Sequence, residues 1–468
     1  MRRILLATIA VVSLALPAAA EQRFEARLAG HAILPAATFV PPPASAPPGF
    51  AVSGRFAGAT NVRIAQPGSV MGNTGPAYGN RETGIPLPFQ GQPVQGFSGI
   101  KPAGDGSYWV LTDNGFGSRA NSPDALLMFH RIRPDFATGR VEVLRTIFLS
   151  DPNSVVPFRI TTEGSRERFL TGADFDPESI QPLPDGTFYI GEEFGPFLIQ
   201  VDAEGRVTRL VETRLENEAI RSPDHPALGV PATPTGTVAF RARRSGGYEG
   251  MALTPDGQTL WALLEQPLFA AGTDRAEGNF LRVLEFHVGR GEWTGRNLRF
   301  QLAEGATNIG DFNFIDATRA LVIERDNGQG DPGLECPPST DARRTQPSTG
   351  GPNPPGCFVQ PARVKRVTLV DFSQVDANGF IRKIGHIDLM AMQDPDNRAR
   401  LRGDLPANAP AGRFTFPFFT IENVAMVDAD HIIVGNDNNL PFSAGRHLSR
   451  ADDNELILLH VPELLRAR

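Results

Sequence analysis

Three glutamates open matching stretches of the chain: Glu178 in DPESIQPLPDGTFYIGEEFG (176–195), Glu249 in GYEGMALTPDGQTLWALLEQ (247–266) and Glu422 in TIENVAMVDADHIIVGNDNN (420–439). Acids also close such stretches: Asp113, Glu192, Glu193, Glu265, Glu324, Asp326 and Asp437. Two carboxylates ~5 Å apart repel by roughly 3 kcal/mol at an effective dielectric near 20. Gathered at one place, such groups must protonate, pair with Arg or hold a cation. The eight His residues contain no H-E-x-x-H and no close pair, which argues against zinc. Carboxylates with Asn114, Asn327, Asn436 and Asn438 nearby form an oxygen donor set that suits Ca2+, with Mg2+ or Mn2+ behind it. The expected metal ligands are Glu178, Glu192, Glu193, Glu249, Glu265, Glu324, Glu422, Asp113 and Asp437. Other chemistries find no footing, since there is no G-x-S-x-G elbow and no Walker loop. GFGSRA (115–120) and GQGDPG (328–333) match a dinucleotide glycine pattern by letters, but Pro123 and Pro332 keep either from opening a helix.

The elements that must position these acids come from an internal repeat. GFSGIKPAGDGSYWVLTDNG (96–115) aligns with the three stretches above, and GDFNFIDATRALVIERDNG (310–328) is a weaker copy. Each reads as two short strands joined by an Asp-containing turn, and a second strand pair usually follows. Four antiparallel strands per unit predict an all-β chain folded as a single β-propeller. Five units are counted, and a sixth has room in 50–95 or 391–420. The last unit offers only NELILLHVPEL after its hairpin, so an N-terminal strand from RFEARLAGHAIL or SGRFAGATNV is expected to close the ring. A two-sheet sandwich is the alternative, but a chain this long would need two of them, and no linker separates them. Because a hairpin returns both ends to one sheet edge, both sets of acids can face one mouth.

The remaining composition bounds location and partners. Residues 1–20 have a short basic start, an apolar centre and an A-x-A end, the pattern of a secretory leader. A secreted or periplasmic protein without a transmembrane segment is expected. Export makes a disulfide the expected state of Cys336 and Cys357, stapling a Pro/Gly-rich loop over 327–362. Residues 21–95 are read as an N-terminal segment with a Pro-rich stretch, partly closing the propeller, and 96–468 as the propeller itself. The net charge of −7 disfavours nucleic acid as a partner, and only Lys101, Lys365 and Lys383 are lysines. A monomer acting on a small molecule is expected.

DFDPESIQPLPDGTFYIGEEFGPFLIQVDAEGRV (174–207), YEGMALTPDG (248–257) and VGNDNNLPFSAGRHLSRADDNELILL (434–459) resemble the phytase-like family described as having esterase-like activity. The likeness runs over roughly 90–460. It implies a secreted propeller and, by relation to the β-propeller phytases, Ca2+-dependent hydrolysis of phosphoric esters. The chain lacks the aspartate-rich motifs and the Lys-rich surface of authentic propeller phytases. Within that resemblance Arg119, Arg325 and Arg446 would clamp phosphate oxygens, and His447 would protonate the leaving oxygen. A carboxylic ester or lactone hydrolase on the same scaffold, and a non-catalytic binding propeller, are the alternatives.

Overall fold

The computed structural model describes residues 21–58, 63–228, 240–337 and 356–468. The apolar leader and most of the loop between the two cysteines therefore lie outside the described residues. An Asp-x-polar turn sets the local structure five times over. The carboxylates of Asp105, Asp185, Asp256, Asp316 and Asp428 each accept the N–H of the residue two positions on, at 2.8 to 3.1 Å. That side-chain bond replaces a backbone bond and reverses the chain between two strands.

Each turn joins the first two strands of an antiparallel sheet. The first sheet holds Phe97–Pro102, Tyr108–Thr112, Met128–Asp135 and Arg140–Phe148. The second holds Pro177–Pro182, Phe188–Glu192, Phe197–Val201 and Val207–Glu212, and the third Gly250–Leu253, Thr259–Leu263, Phe280–His287 and Glu292–Gln301. The fourth is built from Asn308–Phe314, Arg319–Arg325, Lys365–Val375 and Ile381–Asp388, with Gln22–Phe24 added parallel to its outer strand. The fifth has Thr420–Met426, His431–Asp437 and Asn454–His460 from the C-terminal end. Its fourth strand is Arg27–Leu34 from the N-terminal end, paired antiparallel to Asn454–His460. The chain is a β-propeller closed by strands from both ends, and the closing strand comes from RFEARLAGHAIL.

The first strand of each sheet neighbours the first strand of the next, and the fifth returns to the first. Packing at this ring is close enough to demand glycine. A methyl on Gly310 would sit 2.1 Å from the carbonyl oxygen of Ile421, and one on Gly250 would sit 2.8 Å from Cβ of Phe312. Apolar clusters fill each gap between sheets, for example Leu111, Phe129, Ile180 and Ile190 between the first and second. Ala32, Val110, Ile433 and Leu456 close the gap between the fifth and first. Among the described residues, the two stretches that left room for another unit form no four-stranded sheet. The described residues of 35–58 and 63–95 make three short two-stranded ribbons that pack Leu87 and Phe89 on Phe116 and Leu440 over one mouth. Residues 391–420 contribute Met392–Gln393, Arg413–Phe414 and, at Thr420, the start of the fifth sheet's first strand. Cys336 and Cys357 are bonded.

Candidate functional site

Strand register decides which acids meet. At the mouth end of each inner hairpin the second strand presents one residue at an equivalent place: Asp113, Glu193, Glu265, Arg325 and Asp437. Asp113 donates its N–H to Gly96, Glu193 to Asp176 and Glu265 to Gly247, while Arg325 pairs with Asn308 and Asp437 with Thr420. The place carries four acids and one arginine. The residues just before it are Thr112, Glu192, Leu264, Glu324 and Asn436, and strand alternation turns them to the other face.

Glu192 and Glu324 therefore leave the acidic group. The Glu192 carboxylate accepts the N–H of Phe194 at 2.8 Å and those of Gly195 and Phe197 at 2.7 Å, which shapes the loop after its strand. Burial pushes it up to about 8 against those three donors. Glu324 takes Thr368 at 2.7 Å and Arg366 Nε at 2.8 Å, and Lys383 also donates to it.

The first strands deliver three more acids. Glu178 and Glu422 sit where the register slips between Pro177 and Ser179 and between Ile421 and Asn423, and Glu249 immediately precedes its strand. Such a bulge re-aims one side chain out of the ladder. Carboxylate oxygens of Asp176, Glu178 and Glu193 lie within 4.8 Å of one another, as do those of Glu178, Glu249 and Glu422, and those of Glu193, Glu249 and Glu265. Glu178, the most exposed of these residues, is only 8% exposed. Arg325 projects Nη2 among the others, 2.9 Å from Glu265, 3.1 Å from Glu422 and 3.3 Å from Glu249, and its Nη1 meets Asn327 at 2.9 Å. Asp113 and Asp437 flank the group, tied to Gly115 N–H at 2.8 Å and to Thr420 Oγ1 at 2.9 Å.

The electrostatics follow from crowding. Burial, then Asp176 and Glu249, hold Glu178 well above the usual carboxylate range. Burial with Glu265 and Asp176 does the same to Glu193, and burial with Glu422 and Glu265 to Glu249 despite Arg325. Burial, Asp437 and Asp176 raise Asp113, and burial raises Glu265. Asp176 is pushed up to about 6 and Asp437 to about 8, both by burial first. Burial opposes the charge on Arg325, but Glu265, Glu422 and Glu249 outweigh it.

The other candidates lie apart or at the edge. Arg446 is buried, with Nε and Nη2 on Glu455 at 3.0 and 2.6 Å, and Nη1 on the carbonyls of Thr415 and Arg402. His447 has Nδ1 3.8 Å from Asp404. Neither touches the acidic cluster among the described residues. Arg119 lies nearer, its Nε on the carbonyl of Ala173 at 3.0 Å and its guanidinium 5.6 Å over the Phe194 ring. Two residues escaped the sequence reading. Asp176 belongs to the triad with Glu178 and Glu193, and its signal was the D-P-E spacing two residues ahead of Glu178. Lys365 is buried and pins the loops flanking Arg325 by donating to the carbonyls of Asp326 and Phe419 at 2.6 and 2.8 Å, with no local signal in the sequence.

Solved structures with a similar shape include the luciferin-regenerating enzyme (10% identity, TM-score 0.33, covering 80% of this chain and 79% of that one). The Dos1 propeller (10%, 0.29, 81% and 70%) and the Malassezia sympodialis allergen Mala s 1 (11%, 0.34, 84% and 92%) are also among them. No curated protein sequence matches. Residues 92–440 match the Phytase-like family, described as "esterase-like activity of phytase", and the chain belongs to that family.

Proposed function

We propose that this chain is an exported ester hydrolase that holds Ca2+ in the mouth of its propeller and cleaves a small phosphorylated ester. The family supports the esterase-like class. One observation carries the metal: Asp176, Glu178 and Glu193 bring three carboxylate oxygens within 4.8 Å. Three atoms at that separation surround a centre about 2.8 Å from each, close to the 2.3–2.6 Å of Ca–O bonds. The donor set fits a hard cation, being all carboxylate. Glu178 accepts no N–H among the described residues, so its charge has no protein partner, and the Asp176 carboxyl lies within hydrogen-bond reach of it. A bound Ca2+ supplies Lewis acidity toward an ester oxygen.

The chain's own residues do the rest. Asp176, Glu178 and Glu193 bind the cation, with Asp113 and Asp437 at the rim. Arg119 has an Nη2 that meets no acceptor among the described residues, and in this reading it orients the anionic end of the substrate. The ribbons of 35–95 cover the mouth and exclude water: Tyr78 bonds the carbonyl of Asn327 at 2.7 Å beside Arg325, and Arg81 donates to the carbonyls of Ala444 and Leu448. Among the described residues the ion pairs of Arg446 and His447 are with Glu455 and Asp404, away from the acidic cluster, so this reading gives them no part in the chemistry. A second reading, hydrolysis of a carboxylic ester or lactone, needs fewer basic groups, and Arg119 already gives Nε and Nη1 to the carbonyls of Ala173 and Asp224.

The leader-like start and the disulfide support export, and no helix among the described residues is long and apolar enough to cross a membrane. The test is a panel of phosphomonoesters and lactones assayed with Ca2+ and with chelator. Turnover on phosphomonoesters that chelator abolishes is expected. Turnover indifferent to chelator removes the metal, and Ca2+ binding without turnover leaves a binding propeller.

A further inference from the structure

The place that carries Asp113, Glu193, Glu265 and Asp437 in four sheets carries Arg325 in the fourth sheet. Its Nη2 lies within 3.3 Å of Glu249, Glu265 and Glu422. Among the described residues three carboxylate triads are close enough to hold an ion, and two of them contain these residues: Glu178–Glu249–Glu422 and Glu193–Glu249–Glu265. Only Asp176–Glu178–Glu193 contains no carboxylate bonded to the guanidinium. We infer that Arg325 is a built-in cation filling what would otherwise be a second metal position, so that the mouth takes one divalent ion, held by Asp176, Glu178 and Glu193. This rests on the metal reading above and adds stoichiometry and position to it.

Three features support the assignment. The guanidinium is anchored from outside the acidic group by Asn327 at 2.9 Å and lies 6.0 Å over the Phe419 ring, so it is held in place with little freedom to swing away. Lys365 fixes both flanking segments through the carbonyls of Asp326 and Phe419. The triads share Glu178, Glu193 and Glu249 pairwise, so an ion and a guanidinium can divide the ring with Glu178 and Glu193 on one side and Glu249, Glu265 and Glu422 on the other. A fixed monovalent group there lowers the total charge the acids must find from solution. It also keeps a second ion out by occupying its ligands.

The experiment is Ca2+ titration by calorimetry, with metal content measured on the dialysed protein, for wild type, Arg325→Met, Glu265→Gln and Glu178→Gln. Wild type is expected to bind one ion per chain and Arg325→Met two. Glu265→Gln, which removes a partner of Arg325 and a neighbour of Glu193 but none of the three proposed ligands, is expected to change the wild-type affinity by less than about 3-fold. Glu178→Gln is expected to weaken it by about 100-fold or more. Two ions in wild type, or one in a folded Arg325→Met, overturn the inference while leaving the metal reading intact. No binding by wild type overturns both. Should Arg325→Met not fold, the Gln pair still decides: equal losses in Glu265→Gln and Glu178→Gln put the ion on the arginine's side and overturn the inference.

Discussion

Replacing Arg446 by Met separates a scaffold role from a catalytic one. In the fold this guanidinium is 2% exposed, makes a two-pronged bond to Glu455 at 3.0 and 2.6 Å, and lies 4.9, 5.1 and 5.9 Å from the ring centres of Phe418, Phe414 and Phe416. Glu455 is also 2.9 Å from His31 Nε2 on the strand that closes the propeller. Arg446→Met keeps much of the packing against the phenylalanines and leaves Glu455 buried without its main counter-charge. Breaking a buried pair from one side costs about 3–5 kcal/mol.

A second route gives the same size. Burial pushes the Glu455 carboxyl up, but Arg446 and His31 more than offset that and hold it at about 2, against 4.5 in its ordinary state. At 1.36 kcal/mol per pH unit that difference is worth about 3 kcal/mol. Because the folded value is the lower one, this stabilisation is fully present above about pH 4.5 and is lost as pH falls toward 2. With unfolding entropy of about 2.1 cal/mol/K per residue, a chain this long loses about 1 °C of Tm per kcal/mol. Calorimetry should therefore show Arg446→Met melting about 3–5 °C lower at pH 7. The difference should shrink as pH falls below 4, because wild type then loses the same interaction. Adding Glu455→Gln should recover at least half of the loss at pH 7 by removing the stranded charge. Turnover per folded molecule should stay within about 2-fold. An unchanged Tm with turnover lost would refute this reasoning and return Arg446 to the substrate.

Two other perturbations test the site and the ring that carries it. Free Ca2+ at 100 times its Kd should stabilise wild type by about 2.7 kcal/mol, read as a Tm rise of roughly 3 °C, and Glu178→Gln should lose most of that rise at the same concentration. Gly310→Ala forces a methyl within 2.1 Å of the Ile421 carbonyl and should cost about 3 kcal/mol as the inner strands part, whereas Gly164→Ala meets nothing within 4 Å and should stay within about 0.5 kcal/mol. Equal melting temperatures for these two variants would show that the inner ring is not tightly closed.

The repeat was legible because each turn writes the same residue type into the chain: Asp105, Asp185, Asp256, Asp316 and Asp428 all serve one local hydrogen bond. Local bonds leave local signatures, and so hairpin positions and the convergence of Glu178, Glu249 and Glu422 could be read from the residue pattern alone. Face assignment could not. Glu192 and Glu193 are adjacent, identical in type and both buried, yet one shapes a loop and the other joins the acids. Only the register fixed by hydrogen bonds to the neighbouring strand tells them apart, and a slip of one residue would exchange them.

The same parity separates Glu324 from Arg325, and it sets the arginine of the fourth sheet at the place where the other sheets carry acids. Had the fourth sheet followed its neighbours, an acid would stand at position 325 and add to the repulsion among Glu249, Glu265 and Glu422. The arginine instead satisfies three carboxylates from one nitrogen. Glu178, which it does not touch, is left without a counter-charge from the chain. An uncompensated buried carboxylate survives folding only by keeping a proton or finding a cation. Among the described residues the break in the repeat leaves Asp176–Glu178–Glu193 as the one triad with no carboxylate bonded to the guanidinium, and it is there that the proposed ion would sit.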